Sequence, residues 1–484
     1  MSETEEKSND KIPKVEKKYD KGYSHILIWS IMVSVFSIAW NFRALAINSC
    51  LESYFKISST IEHYRLNPLS DLSYTIPIFY DSELQFPDLP EAANIQIKGR
   101  LEKEASLVDV SFSFTNTEVQ SFDYPDYPQD VLFLNMHISD NNALYISDVH
   151  SYCELYYNIE TVNSNDLPYF VTQLLVDSAF KDELEFYYPG SLYLNNTSNN
   201  THFLTNNQMH NSIVQNFLQD GIQTLNVSFY FIGTESYSID LNSLEHDIKS
   251  QFDPLSKIIE LNFEMNQLPY KSNCSYLYKE EIENVPYELT DFHYMSEILQ
   301  KQQNNSLIFL FYPYEQLGVL GKVRNVKETL LYQDENSLID LPHGMLYLTN
   351  IPTLDLSDET EEKENIFRAF SKGSLSEFEE RVSKKIMDKL FYFPQNLEVG
   401  VSLRIKSWQR ILLVDLLTYW SSLLVKLELE LQNIKSTNLW NDKIELFEKS
   451  LKLREEAVKL AGADQSNIEL ALEKAQEAIH VLIT

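Results

Sequence analysis

The chain has 484 residues, of which 44 % are hydrophobic and 13 % aromatic; this is length for about two to four domains with a substantial core, and it excludes general disorder. A formal net charge of −32 repels phosphate backbones and leaves no basic stripe for counterion release, which excludes nucleic acid as a partner. Three cysteines, Cys50, Cys153 and Cys274, form no close pair, so a zinc ribbon and a Cys-x-x-Cys redox site are excluded and one disulfide is the most they permit.

In chain order, residues 1–21 form a lysine-rich tail. Gly22 to Phe42, GYSHILIWSIMVSVFSIAWNF, is a run of 21 residues without Asp, Glu, Lys or Arg, which as a helix spans about 31 Å, one hydrocarbon core. Tyr23, Trp29, Trp40 and Phe42 lie toward its ends, where amphipathic rings favour an interface. Lys7, Lys11, Lys14, Lys17, Lys18 and Lys21 precede it, whereas Arg43 and Lys56 are the nearest cations after it, so the positive-inside rule predicts a cytosolic tail and a lumenal remainder. The triplet Ala44-Leu45-Ala46 raises the alternative of a cleaved signal peptide, but its apolar region would be only about 7–15 residues long. With Cys50 beside the membrane, Cys153 and Cys274 are the expected disulfide pair.

A lumenal side makes the Asn-x-Ser/Thr triplets candidate glycan acceptors. They begin at Asn195, Asn196 and Asn199, within YLNNTSNNTHF, and at Asn226, Asn273 and Asn304.

Leu107 to Phe114 alternates, with Val108, Val110, Phe112 and Phe114 on one face, and predicts a half-buried strand. Val131 to Ile138 predicts another, and Leu167 to Glu185 a mostly helical segment ending before Pro189-Gly190. A second unit begins near Gly221. There Leu225, Val227, Phe229 and Phe231 alternate with polar neighbours, and a helical SIDLNSLEHDIKSQFDPLSKII and a strand IELNFEM follow, an α/β unit whose pairing sense is left open. Ser306 to Tyr312 and Met345 to Thr349 predict further strands. Beyond the acidic run LDLSDETEEKE the period changes to about 3.6. Residues 403–435, 440–461 and 466–482 then read as three long helices, with Gly462 placed to stop the second and capping-box spacings at Ser374–Glu377 and Ser466–Glu469. Ile411 to Val425 is short for a span and carries Asp415, which favours a packed core helix. No repeat of fixed period is visible.

The expected fold class is α/β: a tail over 1–21, a transmembrane helix over 22–42, a mixed α/β body in two halves, 43–220 and 221–355, and a long-helix region over 356–484. Eleven glycines include no Gly-x-Gly, which removes the Rossmann and kinase glycine loops and Gly-x-Ser-x-Gly; no Walker loop or His-Glu-x-x-His occurs. No cofactor, metal or catalytic residue is assigned. The strongest enzyme alternative is a thiol hydrolase with Cys153 or Cys274 as nucleophile and His343 as base. It is disfavoured because neither cysteine has a cationic setting to lower its pKa. A membrane-tethered ligand-binding module is the other alternative.

Three segments carry a resemblance. LNVSFYFIGTESYSIDLNSLEHDIKSQFDPLSKIIELNFEMNQLPY, residues 225–270, is similar to a strand, a helix ending in Pro-Leu, and a strand followed by Tyr in PIG-S, the non-catalytic subunit of the GPI-anchor transamidase, in its divergent yeast-type form. SLIFLFYPYEQLGVL and LPHGMLYLTN, within 306–350, resemble that family's apolar strand closing on Pro and its later Gly-strand-Asn segment. Residues 402–435 and AVKLAGADQSNIELALEKAQEAI resemble its membrane-proximal helices. The resemblance implies an endoplasmic reticulum membrane protein without catalytic residues of its own. Its implied partners are membrane lipid and the other transamidase subunits, including a caspase-like subunit whose cysteine performs the acyl transfer. The family's last helix continues into a second transmembrane helix, whereas this sequence ends at HVLIT; a truncated C-terminus and a single anchor are the two alternatives.

Overall fold

The structure is a computed structural model. It describes residues 21–82, 86–117, 131–146, 151–160, 166–188, 215–219, 221–232, 241–268, 306–315, 336–341, 343–351, 378–390, 400–433, 437–463 and 467–483, with short pieces at 287–288, 298, 323–324 and 330–331. The chain divides into an N-terminal unit, Met1–Leu66, and a body, Asn67–Thr484.

The N-terminal unit contains one helix, α1 (Lys21–Leu66), of 46 residues. It is more than twice the length expected over 22–42, because no Gly or Pro interrupts 23–67 and nothing local breaks the hydrogen-bond ladder before Pro68. Ile28, Trp29, Ile31, Met32, Val33, Val35, Phe36, Ile38 and Trp40 are all exposed. Among the described residues no helix is long and apolar enough to cross a membrane. The described side chains of the apolar stretch run from Ile28 to Asn41, about 21 Å of helix against a hydrocarbon core of about 30 Å.

The body is mixed α/β and holds two five-stranded sheets. The first has strands β1 (Ser73–Ser82), β2 (Asp109–Asn116), β3 (Leu132–Ile138), β4 (Ala143–Ile146) and β5 (Tyr152–Tyr157), with α2 (Leu89–Lys103) between β1 and β2. Their order is β2-β1-β3-β5-β4, all parallel except the β4–β5 pair. After β5 come α3 (Leu167–Leu174), a π turn (Leu175–Ala179) and α4 (Lys181–Glu185). The expected helical stretch 167–185 is therefore present, tightened and widened by turns.

The second sheet uses β6 (Gln223–Ile232), β7 (Ile259–Leu268), β9 (Ser306–Glu315), β12 (Asn336–Leu341) and β13 (Gly344–Ile351), with α5 (Leu241–Gln251) between β6 and β7. Short strands β8 (Tyr287–Glu288), β10 (Val323–Arg324) and β11 (Leu330–Leu331) form a separate three-stranded sheet. Read from β7, the order is β7-β6-β9-β13-β12, again parallel except for the last pair, β13 with β12.

The two halves are thus a tandem pair with one topology: strand, helix, strand, a third strand on the far side of the first, then an antiparallel strand pair at the edge. Even the register agrees, since residue i of the first strand pairs with residue i+36 of the second in both halves: Ser73 with Asp109, Gln223 with Ile259. The parallel pairing that the sequence left open is now fixed.

In the first half the core face carries Tyr74, Ile76, Ile78, Val110, Phe112, Leu132, Leu134, Cys153 and Leu155; in the second, Leu225, Val227, Phe229, Leu307, Phe309, Met345 and Tyr347 are buried on one face and Tyr230, Ile308, Leu310 and Leu346 on the other. Helix α6 (residues 378–390), within the expected long-helix region, packs on the second sheet. Its Phe378 meets Phe229, Phe231, Phe311 and Tyr347 at centroid distances of 5.3–6.3 Å. Gly344 opens β13 with φ +144°, and a Cβ there would lie 1.8 Å from the Ile308 carbonyl oxygen, so no other residue fits that turn.

Three long helices complete the body: α7 (Val401–Asn433), α8 (Thr437–Ala463) and α9 (Ile468–Ile483), as the period of about 3.6 predicts. Ile411 through Thr418 are all buried, Asp415 included, in keeping with a packed core helix. Gly462 lies inside the last turn of α8 rather than beyond it.

Candidate functional site

Burial of charge singles out α7. Arg410 is 3 % exposed at its side chain and Glu183, on α4, 1 %; Arg410 donates from Nε to Glu183 Oε1 at 2.5 Å and from Nη2 to Oε2 at 2.7 Å. Tyr187 donates its hydroxyl to the same carboxylate at 2.6 Å, Ser407 Oγ accepts from Arg410 at 3.2 Å, and Tyr74 of β1 donates to the Arg410 carbonyl at 3.0 Å. Burial works against the charge on Arg410, but the Glu183 carboxylate overrides it and holds the guanidinium protonated. Burial likewise pushes the Tyr74 and Tyr187 hydroxyls far above their ordinary values, so both remain neutral donors.

Six residues earlier on α7, Arg404 reaches Asp388 of α6 at 2.6 Å, and Gln409 donates to the Pro254 carbonyl at 3.4 Å. One helix therefore presents one arginine to the helix that follows each sheet. The other long helices are tied in by Trp420 Nε1 donating to Ser450 Oγ at 2.7 Å, and Ser450 to the Ala478 carbonyl at 2.6 Å. Arg454 of α8, 1 % exposed, donates to the carbonyls of Pro68 and Ser70 and lies over the Trp420 ring. These contacts fix shape; beside them Asp182 of α4, 3 % exposed, has its carboxyl pushed up to about 6 by burial and by the Glu185 carboxylate.

The second candidate is the other face of the first sheet. Strand alternation puts Asn135 and His137 of β3 beside Glu154 and Tyr156 of β5, with Tyr145 of β4 opposite Glu154. Asn135 donates to Tyr152 Oη at 3.0 Å; Tyr152 and Tyr156 then donate to the two Glu154 oxygens at 2.9 and 2.7 Å. Desolvation, more than its hydrogen bonds, pushes the Tyr152 hydroxyl up to about 12. Toward the other edge, Thr75, Ser111, Ser113 and Thr115 are exposed. Parallel sheets are usually covered on both faces, and here the end of α8 reaches Ser73 of β1, where a Cβ on Gly462 would lie 3.0 Å from the Ser73 hydroxyl. A cleft of about 550 Å³ opens at the N-terminal ends of β1 and β2, lined by Asp71, Lys98, Glu102 and Asp109 over Leu72 and Leu101. That is the opposite end from the one where open parallel sheets hold ligands.

The residues singled out from the sequence do not converge. Cys153 is a free, fully buried thiol at the second position of β5, pushed up to about 12 by burial, and is no thiolate near neutral pH. Cys274 lies outside the described residues, as does the side chain of Cys50. His343 is the turn residue before β13, in the other sheet. Its Nδ1 lies 3.4 Å from Lys389 Nζ, and burial together with that ammonium lowers its pKa. Asn226 is exposed on the outward face of β6, as expected; Asn195, Asn196, Asn199, Asn273 and Asn304 fall outside the described residues. Among the described residues no group of three His, Cys, Asp or Glu side chains could hold a metal.

Sequence reasoning missed the buried Arg410–Glu183 pair, whose members are 227 positions apart, and the β5 ladder. A signal for the latter was present, because YCELYY alternates Tyr152, Glu154 and Tyr156 with Cys153, Leu155 and Tyr157. No protein-family model matches the chain, and no curated protein matches it in sequence.

Proposed function

We propose that the protein is a non-catalytic architectural subunit of a GPI transamidase complex, anchored in the endoplasmic reticulum membrane by the apolar first part of α1, with its body on the lumenal side. The observation that carries this reading is the order of the three family-like segments, each of which falls on consecutive elements of the fold. Residues 225–270 cover β6–α5–β7, residues 306–350 cover β9 to β13, and residues 402–435 with the Ala-rich stretch cover α7 and the end of α8 through α9. Exposed Ile, Val, Trp and Phe side chains from Ile28 to Trp40 support the anchor, since such a surface is costly in water and favourable in hydrocarbon.

The role is to present shape. A body tied together by α7, with a buried rather than reactive cysteine at Cys153, suits a wall against which a caspase-like catalytic chain and substrate-recruiting chains are held. The test is purification of the tagged full-length chain in mild detergent, with mass spectrometry of what accompanies it, and surface staining of GPI-anchored proteins after depletion. Co-purification of the caspase-like subunit and loss of anchored proteins are expected. Recovery alone, with anchoring intact, overturns the proposal.

A further inference from the structure

Strand β4 closes the first sheet on one side: it pairs with β5 from Ala143↔Tyr156 to Ile146↔Cys153 and, among the described residues, with no other strand. Proteins protect such edges by keeping them short, as the four residues of β4 are, or with lysine, proline, a bulge or a covering element, because unpaired N–H and C=O groups template another strand. Here the sequence is ALYI, the register runs without a bulge, and Leu144 and Tyr145 are 43 % and 56 % exposed. The two sides of the edge differ in chemistry. Leu144 stands opposite Leu155, 4 % exposed, at the rim of the core. Tyr145 stands opposite Glu154, whose carboxylate takes one tyrosine hydroxyl on each oxygen and has capacity for further donors. The strands β1, β3, β4 and β5 contain Asp81 and Glu154 but no Lys or Arg.

We infer that β4 is a strand-addition site for an extended segment of a partner polypeptide in which cationic and apolar residues alternate. An added strand continues the ladder with its own backbone and sends successive side chains to opposite faces. Apolar residues extend the core past Leu144. Arginine or lysine on the other side lies over the Tyr145 ring and reaches toward Glu154, gaining cation–π attraction and a charge-assisted hydrogen bond. A second copy of this chain is disfavoured as occupant, since β4 has no cation to offer and the chain's net charge is −32. This inference stands independently of the transamidase reading.

The test uses the full-length chain in detergent and three labelled ten-residue peptides: alternating Arg and Val, the same peptide with two central Val replaced by Pro, and alternating Glu and Val. Binding is read by fluorescence anisotropy, and site by amide hydrogen exchange. The Arg/Val peptide is expected to bind at least 10-fold more tightly than either control and to slow exchange at 143–146, and Tyr145→Lys, a change at an exposed position, to weaken it about 10-fold. Equal binding of the Pro-containing peptide, protection elsewhere in the chain, indifference to Tyr145→Lys, or no binding at all would each overturn the assignment. A chain that copurifies with no transamidase subunit can still pass this test.

Discussion

Replacing Glu183 by Leu strands the Arg410 guanidinium in a site where its side chain is 3 % exposed, with only the Ser407 hydroxyl as acceptor. Replacing Arg410 by Met strands the Glu183 carboxylate with the Tyr187 hydroxyl alone. Breaking a buried ion pair from one side costs about 3–5 kcal/mol, while exchanging both partners for apolar groups of similar volume is often neutral or favourable. Each single variant should therefore lose about 3–5 kcal/mol, and Glu183→Leu with Arg410→Met should come within about 1 kcal/mol of the parent. The coupling energy is then several kcal/mol, far outside the roughly 0.5 kcal/mol scatter of independent sites. Urea unfolding of the full-length chain in detergent, followed by the fluorescence of the buried Trp408 and Trp420 on the same helix, measures all four corners of the cycle. Singles that each lose less than about 1 kcal/mol, or a double variant that loses their sum, would refute the view that uncompensated charge dominates this site.

Three further outcomes are expected. Glu379 of α6 accepts from Gln251 at 3.0 Å, and burial, then the Asp247 carboxylate, raises its pKa from 4.5 to about 7. The folded state therefore prefers it protonated. Stability from this group is fully present below about pH 4.5 and falls as the pH rises through about 7, so Glu379→Gln should stabilise by about 1–2 kcal/mol at pH 8, after discounting for partial exposure, and by nothing at pH 4.5. Phe378→Ala empties a site walled by four aromatic rings and should cost about 3–5 kcal/mol in the same unfolding assay. Ala105 ends α2 at φ 56°, with Ser106 N–H returning to the Leu101 carbonyl, where glycine is the favoured residue; Ala105→Gly should raise stability by about 1 kcal/mol, and a loss there would contradict the reading of strain.

The elements that pattern reading located are those whose two faces differ in polarity or whose length is unmistakable. Strands β2, β3, β6, β7, β9 and β13 and helices α7, α8 and α9 all fall within a few residues of their expected positions. Strand β1 carries Pro77 within it; a proline has no ladder N–H and argues against a central strand, yet β1 lies between β2 and β3. The tandem repeat was invisible for a different reason. It resides in strand order and register, and while the first two strands keep the same spacing in both halves, the connections after them differ in length, so no fixed period survives. The length of α1 was underestimated because hydrophobicity marks where a helix is apolar, not where it ends. Little of either candidate site could be read beforehand: Arg410 finds Glu183, and β5 finds β3, only once the topology has brought them together.

The position of α7 in the chain has a consequence for synthesis. Both sheets, with the helices that follow them, are encoded before residue 391, so each half can close its hydrogen-bond ladders while the rest is still being made. Glu183 then waits for an arginine 227 positions downstream, about 10–45 s at ordinary elongation rates. During that interval the first half holds the Glu183 carboxylate without its arginine, whereas Asp388 waits only 16 positions for Arg404. Arrival of α7 supplies an arginine to Glu183 and another to Asp388, so about the last fifth of the chain ties together two halves made before it.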